Sequence, residues 1–246
     1  MTPLDPPATP DQSRREALEQ RVEELEQRVE AAFDHVKPKL RGWLHVGAAP
    51  VAFVAGIVLV LLAPSALRVP VAVYATSTVM LFTSSALLHR GSWGPRTHGV
   101  LRRLDHCGIF FLIAGSFTPF AVALLPPGTA RTMLWIVWGG AVLGALFRVF
   151  WLGAPRWVYT PVYLALGWTA AFFSPSMART GGIALVILLL AGGLMYSAGA
   201  VIYALRRPDP SPRWFGFHEV FHSFTLGGFV SHYAAVTLAV IGFAAA

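Results

Sequence analysis

Residues 104–120 read LDHCGIFFLIAGSFTPF, and this stretch decides the fold class because no charged side chain follows its first three residues. The whole chain shares that character, with 55% hydrophobic and only 13% charged residues, whereas about a quarter of the residues of a soluble domain are charged. The composition therefore predicts a membrane protein. From Trp43 onward, seven apolar segments are roughly long enough to span a bilayer: 43–63, 70–89, 104–125, 132–151, 157–174, 181–205 and 215–242.

The charges between these segments predict how the chain is oriented. Seven spans place the two termini on opposite sides, and cytoplasmic loops carry an excess of Lys and Arg. With the N-terminus inside, twelve such residues lie on the inner side and three, Arg68, Arg131 and Arg179, on the outer side. We therefore predict an all-α, multi-pass protein of the cell membrane, in which a seven-transmembrane-helix bundle has a cytoplasmic N-terminus and an external C-terminus.

The remaining composition narrows the classes of partner. The net charge is +7, but the basic residues are scattered between apolar runs instead of lying on one soluble face, so we expect membrane lipids and not nucleic acid as partners. A single cysteine, Cys107, excludes an internal disulfide. The polar, Pro-rich start of the chain lacks the pattern of a cleavable signal peptide.

Three regions are expected along the chain: a disordered leader at 1–15, a cytoplasmic amphipathic or coiled-coil helix at 16–40, and the seven-helix domain at 41–246. The helix is predicted by apolar residues that recur at alternating spacings of four and three in EALEQRVEELEQRVEAAFDHV. Such a helix either lies near the bilayer or mediates self-association.

Acidic residues are rare outside the leader, which holds nine of the twelve. Only Asp105, Asp209 and Glu219 remain. Asp209 falls in a cytoplasmic loop, where we expect it to be solvated. The other two lie at the edges of spans, where an ionisable group is a functional hypothesis by default.

Three histidines are predicted to meet at one depth near the cytoplasmic surface. His89 ends the second span, and His218 and His222, four residues apart on one helical face, begin the seventh. Ser85 lies one turn deeper than His89, and Asp105 begins the third span at the same level. Three neutral imidazoles with an open fourth position are typical of a catalytic zinc ion.

The other histidines are not expected to join this site. We interpret His45, His98 and His106 as interfacial residues. His232 lies ten residues beyond His222, which is about 15 Å along a helix. Haem ligation is an alternative, although two ligands at i and i+4 on one helix suit a small ion better.

The sequence HEVFH also matches the HExxH pattern of zinc proteases, in which the glutamate is the general base. Here the pattern lies in the last span, so no later residue could supply a third ligand. Glu219 is also rotated by about 100° from His218 on the helix. Both features count against a protease.

Taken together, SSALLH ending the second span, LDHCGIFFLIAGSFTPF in the third and FHEVFHSF opening the seventh resemble the hemolysin III branch of the progestin and adiponectin receptor family. The resemblance implies a seven-helix bundle with zinc near its cytoplasmic side. It implies His89, His218 and His222 as ligands, with Asp105 holding the zinc-bound water and Ser85 supporting it.

Two functions follow from this resemblance. The first is zinc-dependent hydrolysis of membrane lipids, with an amide in a ceramide-like molecule as the bond cleaved and lipid homeostasis as the role. The second is a zinc-stabilised sensor, receptor or pore-forming protein without hydrolase activity. The ligands would be the same in both.

Overall fold

The computed structural model describes Leu18, Arg21 and residues 38–245. The predicted leader at 1–15 lies outside the described residues, as does nearly all of the helix predicted at 16–40. Both predictions, and self-association through that helix, therefore stay predictions.

Residues 38–245 form helices joined by short loops, and no strand occurs in this range. The helices are α1 (Trp43–Leu62), α2 (Ser65–Arg90), α3 (Pro95–Leu124), α4 (Pro127–Phe150), α5 (Arg156–Gly167), α6 (Thr169–Leu205) and α7 (Phe217–Ala245). Proline begins α3 and α4, where its missing N–H would have had no partner in any case.

Six helical stretches are long and apolar enough to cross a membrane. This confirms an all-α, multi-pass integral membrane protein. One of the six, Arg156–Leu205, has 50 residues, although about 20 suffice to span the hydrocarbon core. The predicted fifth and sixth spans both fall within it. Inside this stretch Gly182 has φ of 80° and ψ of 166°, a conformation that glycine adopts readily and that interrupts the helix.

The helices pack in chain order, each against the next, and contacts between α1 and α7 close the arrangement. Helix α3 also contacts α5, α6 and α7, so it touches five of the other six helices. Side chains on α3, including Asp105 and His106, therefore lie at the centre of the bundle.

Large apolar side chains also cover the outside of the bundle, among them Trp135, Phe150, Trp157 and Phe172, which are 75–85% exposed. On a soluble protein so many exposed apolar side chains would be an aggregation hazard. Here they form the surface that contacts lipid.

Candidate metal centre

The three predicted histidines come together at the ends of two helices. One ring nitrogen from each of His89, His218 and His222 lies within 4.8 Å of the others. The Nε2 atoms of His89 and His218 are 3.1 Å apart. Two nitrogens bound at 2.0–2.1 Å to one tetrahedral zinc ion would be roughly 3.3 Å apart. The spacing of the His89 and His218 nitrogens therefore suits a small metal ion, with the nitrogen of His222 near enough to join them.

Helix geometry explains why the cluster forms. His218 and His222 occupy the first two turns of α7, and their ring centroids are 4.4 Å apart. His89 lies in the last turn of α2, with its ring centroid 4.6 Å from that of His218. Gly42, just before α1, has φ of 81°, and a Cβ at this position would be 2.7 Å from the Cβ of His89. Glycine at 42 lets the start of α1 approach the cluster closely.

Asp105 and Ser85 line the same cavity as His89, His218 and His222. The Ser85 hydroxyl lies close enough to the Asp105 carboxyl group to interact with it. Ser85 is buried and Asp105 is half-buried. All five predicted site residues thus line one cavity.

The cavity has a volume of about 1990 Å³, larger than the roughly 300–1,000 Å³ usual for a small-molecule site. Its lining is mixed: Leu112, Ile113 and Phe117 of α3 and Leu189 and Leu190 of α6 contribute apolar side chains, and Ser, Thr, Tyr and Arg side chains contribute polar groups. A cavity of this size with both kinds of side chain in its lining can accommodate an amphiphile.

Glu219, the glutamate of the HExxH match, is turned away from this cavity. Its side chain is fully buried, forms an ion pair with Arg41 and accepts a hydrogen bond from the backbone N–H of Gly216 at 2.8 Å. The segment before α1 also pairs with the segment before α7, through bonds from Lys39 N to Arg213 O and from Leu40 N to Trp214 O. Glu219 therefore fastens the start of α7 to the start of α1, and it is not placed to act as a protease base.

His45 was expected at the interface, and this was wrong. It is buried and its ring stacks on that of His222, with centroids 3.9 Å apart and planes 11° apart. Neither of its ring nitrogens has a hydrogen-bond partner within residues 38–245. A metal ion binds in the plane of an imidazole, so an ion held by His222 would lie outside the plane of His45. His45 consequently packs on the cluster without joining it as a ligand.

His106 was also wrongly expected at the interface. It is buried on α3, and its Nδ1 lies 2.9 Å from Nη2 of Arg148. Arg148 was counted among the cytoplasmic charges, yet its side chain is 0% exposed. His98 is exposed, as expected, and His232 is buried and bonded to the carbonyl of Leu189, outside the cluster.

Asp209 is exposed, as expected, and it has a structural contact as well. Its Oδ1 accepts a hydrogen bond from the backbone N–H of Phe217 at 2.9 Å. That bond satisfies one of the free N–H groups at the start of α7. Asp209 therefore helps to position the helix that carries His218 and His222.

One sequence signal could have identified His45 as a buried residue. It is the only ionisable side chain of α1, and such a residue in a membrane span is a functional hypothesis by default. Its position near the end of the span made an interfacial location equally consistent with the sequence. The stack on His222 depends on contact between α1 and α7, whose sequences are far apart.

Comparison with known proteins places the sequence among its relatives. The sequence model of a protein family described as "Haemolysin-III related" matches residues 33–233. The chain is 34% identical over 157 residues to a "Hemolysin-3 homolog" of Bacillus subtilis, covering 63% of this chain and 70% of the relative. It is 28% identical over 171 residues to the human "Monocyte to macrophage differentiation factor", covering 67% of each. An "Adiponectin receptor protein" of Drosophila melanogaster is 27% identical over 160 residues, covering 55% of this chain and 34% of the relative.

Proposed function

The chain belongs to the haemolysin-III related family, and from that premise we propose that it is a zinc-dependent hydrolase of membrane lipids that cleaves the amide of a ceramide-like molecule. The observation that carries the proposal is the set of three ring nitrogens within 4.8 Å of one another, in the lining of a large cavity that Asp105 also lines. His89, His218 and His222 are the ligands in this proposal.

The donor set favours zinc and an open coordination position. Imidazole nitrogens suit Zn²⁺, and structural zinc is normally closed by four protein ligands. Within residues 38–245 the group contains three candidate ligands and no fourth, and the stacked ring of His45 lies out of reach of the same ion. Zinc bound there supplies a Lewis acid for the carbonyl and a water that ionises near neutral pH.

The residues of the chain then have separate tasks. Hydrolysis adds water across the amide: the C–N bond breaks, the acyl carbon gains a hydroxyl and the nitrogen gains a proton. The Asp105 carboxylate takes the proton from the attacking water and returns it to the leaving nitrogen. The task assigned to the Ser85 hydroxyl is to donate a hydrogen bond to that carboxyl group and orient it, since the two groups interact. Apolar side chains in the lining, such as Leu112, Phe117 and Leu189, contact the acyl chain.

The topology in this proposal is the predicted one, with seven spans, a cytoplasmic N-terminus and an external C-terminus. The twelve-to-three distribution of basic residues supports the orientation. The interruption at Gly182 supports a division of Arg156–Leu205 into two spans. With this topology the histidine cluster lies on the cytoplasmic side of the membrane.

A replacement of Asp105 tests the hydrolase. Asp105→Asn keeps the size of the side chain and removes the base, so we expect zinc content to stay the same while hydrolysis of N-hexanoyl ceramide falls about 100-fold or more. His98→Ala is the control, because His98 is exposed and lies outside the histidine cluster. Zinc loss in Asp105→Asn would make Asp105 a ligand and not the base.

The printed names of the relatives support a second candidate. One relative is called a hemolysin homolog and another an adiponectin receptor protein, which favours a zinc-stabilised pore-forming protein, sensor or receptor. Wild-type protein that contains zinc but hydrolyses no lipid amide would favour this candidate over the hydrolase.

A further inference from the structure

Arg148 is a fully buried cation that the proposed mechanism does not use. It lies in the last turn of α4, and its guanidinium donates to the carbonyls of Trp151 and Leu152 at 3.2 and 3.1 Å. The guanidinium carbon, Cζ, lies 4.3 Å from the ring centroid of Tyr159. Among residues 38–245 it forms no ion pair with a carboxylate. A buried charge without a counter-charge is costly, so such a residue needs an explanation.

Capping the C-terminus of α4 explains only part of these contacts. The two carbonyls follow directly after the helix, and a cation near them is favourable. Neither carbonyl accounts for the third contact, in which Arg148 Nη2 lies 2.9 Å from His106 Nδ1. That contact joins α4 to the central helix of the bundle.

The chemistry of arginine fixes the proton on His106. A guanidinium has only N–H donors and no acceptor, so the nitrogen facing it must present a lone pair. His106 is therefore neutral, with its proton on Nε2. A proton on Nδ1 would bring two donors together at 2.9 Å.

The proton on Nε2 faces the cavity. His106 lines the cavity together with Asp105 and His89. Its Nε2 has no hydrogen-bond partner in the described chain, and it is not among the unpaired side-chain atoms that are shielded from solvent. The atom is therefore open to the cavity. The ring is held in place by the edge contact with Tyr159, at 5.8 Å between centroids. Tyr163 holds the backbone, by donating to the carbonyl of His106 at 3.3 Å.

We propose that His106 is a fixed, neutral hydrogen-bond donor for the carbonyl oxygen of an acyl amide in the cavity, and that Arg148 is the positioning residue that sets its tautomer. The identity of the ligand rests on the proposed function, whereas the tautomer does not. A neutral imidazole donor can polarise a carbonyl without giving up a proton to the Asp105 carboxylate beside it.

The tautomer is tested by ¹⁵N NMR of histidine-labelled protein in lipid nanodiscs, with the His106 signals assigned by their loss in His106→Gln. We expect a protonated Nε2 and an unprotonated Nδ1. Arg148→Met should give a mixture of tautomers, while Arg148→Lys should keep the wild-type pattern because an ammonium also only donates. Arg131→Met, on the exposed opposite end of α4, is the matched control.

A protonated Nδ1 in the wild type, or an unchanged pattern in a folded Arg148→Met variant, would overturn the assignment. If Arg148→Met does not fold, the wild-type spectrum and the Arg148→Lys spectrum still decide the tautomer. A merely structural role for Arg148 would lower stability without changing which nitrogen carries the proton.

The donor role is tested by binding of N-hexanoyl ceramide, with Asp105→Asn added to the wild type and to each variant so that the ligand is not hydrolysed during the measurement. His106→Leu should weaken binding about three- to tenfold, the value of one hydrogen bond. His106→Gln, which keeps an N–H donor, should bind closer to the wild type. Equal binding by His106→Leu and the wild type, or no binding by the wild type, would refute the role. Zinc is measured in each sample, so that loss of the metal centre is distinguished from loss of this donor.

Discussion

Variants of the ion pair between Arg41 and Glu219 test whether Glu219 has a structural role or acts as the general base of a protease. Among residues 38–245, Arg41→Met leaves the buried Glu219 carboxylate with a single N–H donor, that of Gly216. Breaking a buried pair costs about 3–5 kcal/mol, and we take the lower end because the Arg41 side chain is 16% exposed. About 3 kcal/mol corresponds to a fall in Tm of roughly 6–12 °C for a chain of this size.

Glu219→Gln should cost less, about 1–2 kcal/mol, because the amide keeps an acceptor for the N–H of Gly216 and Arg41 can reach water. The double variant Arg41→Met with Glu219→Gln should be more stable than the sum of the two single effects predicts, since neither charge is then left unpaired. Thermal unfolding in one detergent, with exposed Arg213→Met as the control, measures these differences.

Activity is measured on the same samples below the transition. If Glu219 only fastens α7 to the segment before α1, hydrolysis of N-hexanoyl ceramide per folded Glu219→Gln molecule should stay within about threefold of the wild type. A loss of 100-fold or more with unchanged Tm is what a general base would give. That result would refute our interpretation of the pair.

Three further outcomes are expected. Ser85→Ala should lower hydrolysis about three- to tenfold with zinc retained, because one hydrogen bond to Asp105 is lost; an unchanged rate would remove Ser85 from the site. His45→Ala should lower zinc affinity about tenfold, because it leaves a gap against the ring of His222. His45→Phe keeps a stacked ring and His98→Ala is an exposed control, so neither should change the affinity. Equal zinc affinities in all three variants would show that the stack does not matter. A tag after residue 246 should be labelled from outside intact cells and an N-terminal tag should not, as seven spans require; a C-terminal tag accessible only from inside would contradict the predicted topology.

Much of the candidate site could be predicted from the sequence, because hydropathy and the spacing of residues along one helix do not depend on contacts between helices. Hydropathy alone indicates membrane helices, and a spacing of four residues puts His218 and His222 on one face whatever surrounds them. The depth of His89 follows from where its span ends. The distances of His89, His218 and His222 from the ends of their spans are therefore enough to predict that the three lie at one depth.

The residues that the sequence misplaced depend on contacts between distant helices. His45 is buried because α7 brings His222 against it, and His106 because α4 brings Arg148. Arg148 looked like a loop charge because α4 ends only two residues later, yet its guanidinium reaches the carbonyls after the helix end and is covered by Tyr159. Helix geometry predicts that Glu219 points about 100° away from His218. It does not predict the partner of Glu219, because Arg41 lies 178 residues away in the sequence.

The central claim is that His89, His218 and His222 hold one zinc ion. Elemental analysis of detergent-purified protein, beside its His222→Ala variant and the His98→Ala control, tests it most directly. We expect one zinc per chain in the wild type and the control, and a large loss in His222→Ala. Zinc that is absent from the wild type, or equally present in all three proteins, would contradict the assignment of these histidines as a metal centre.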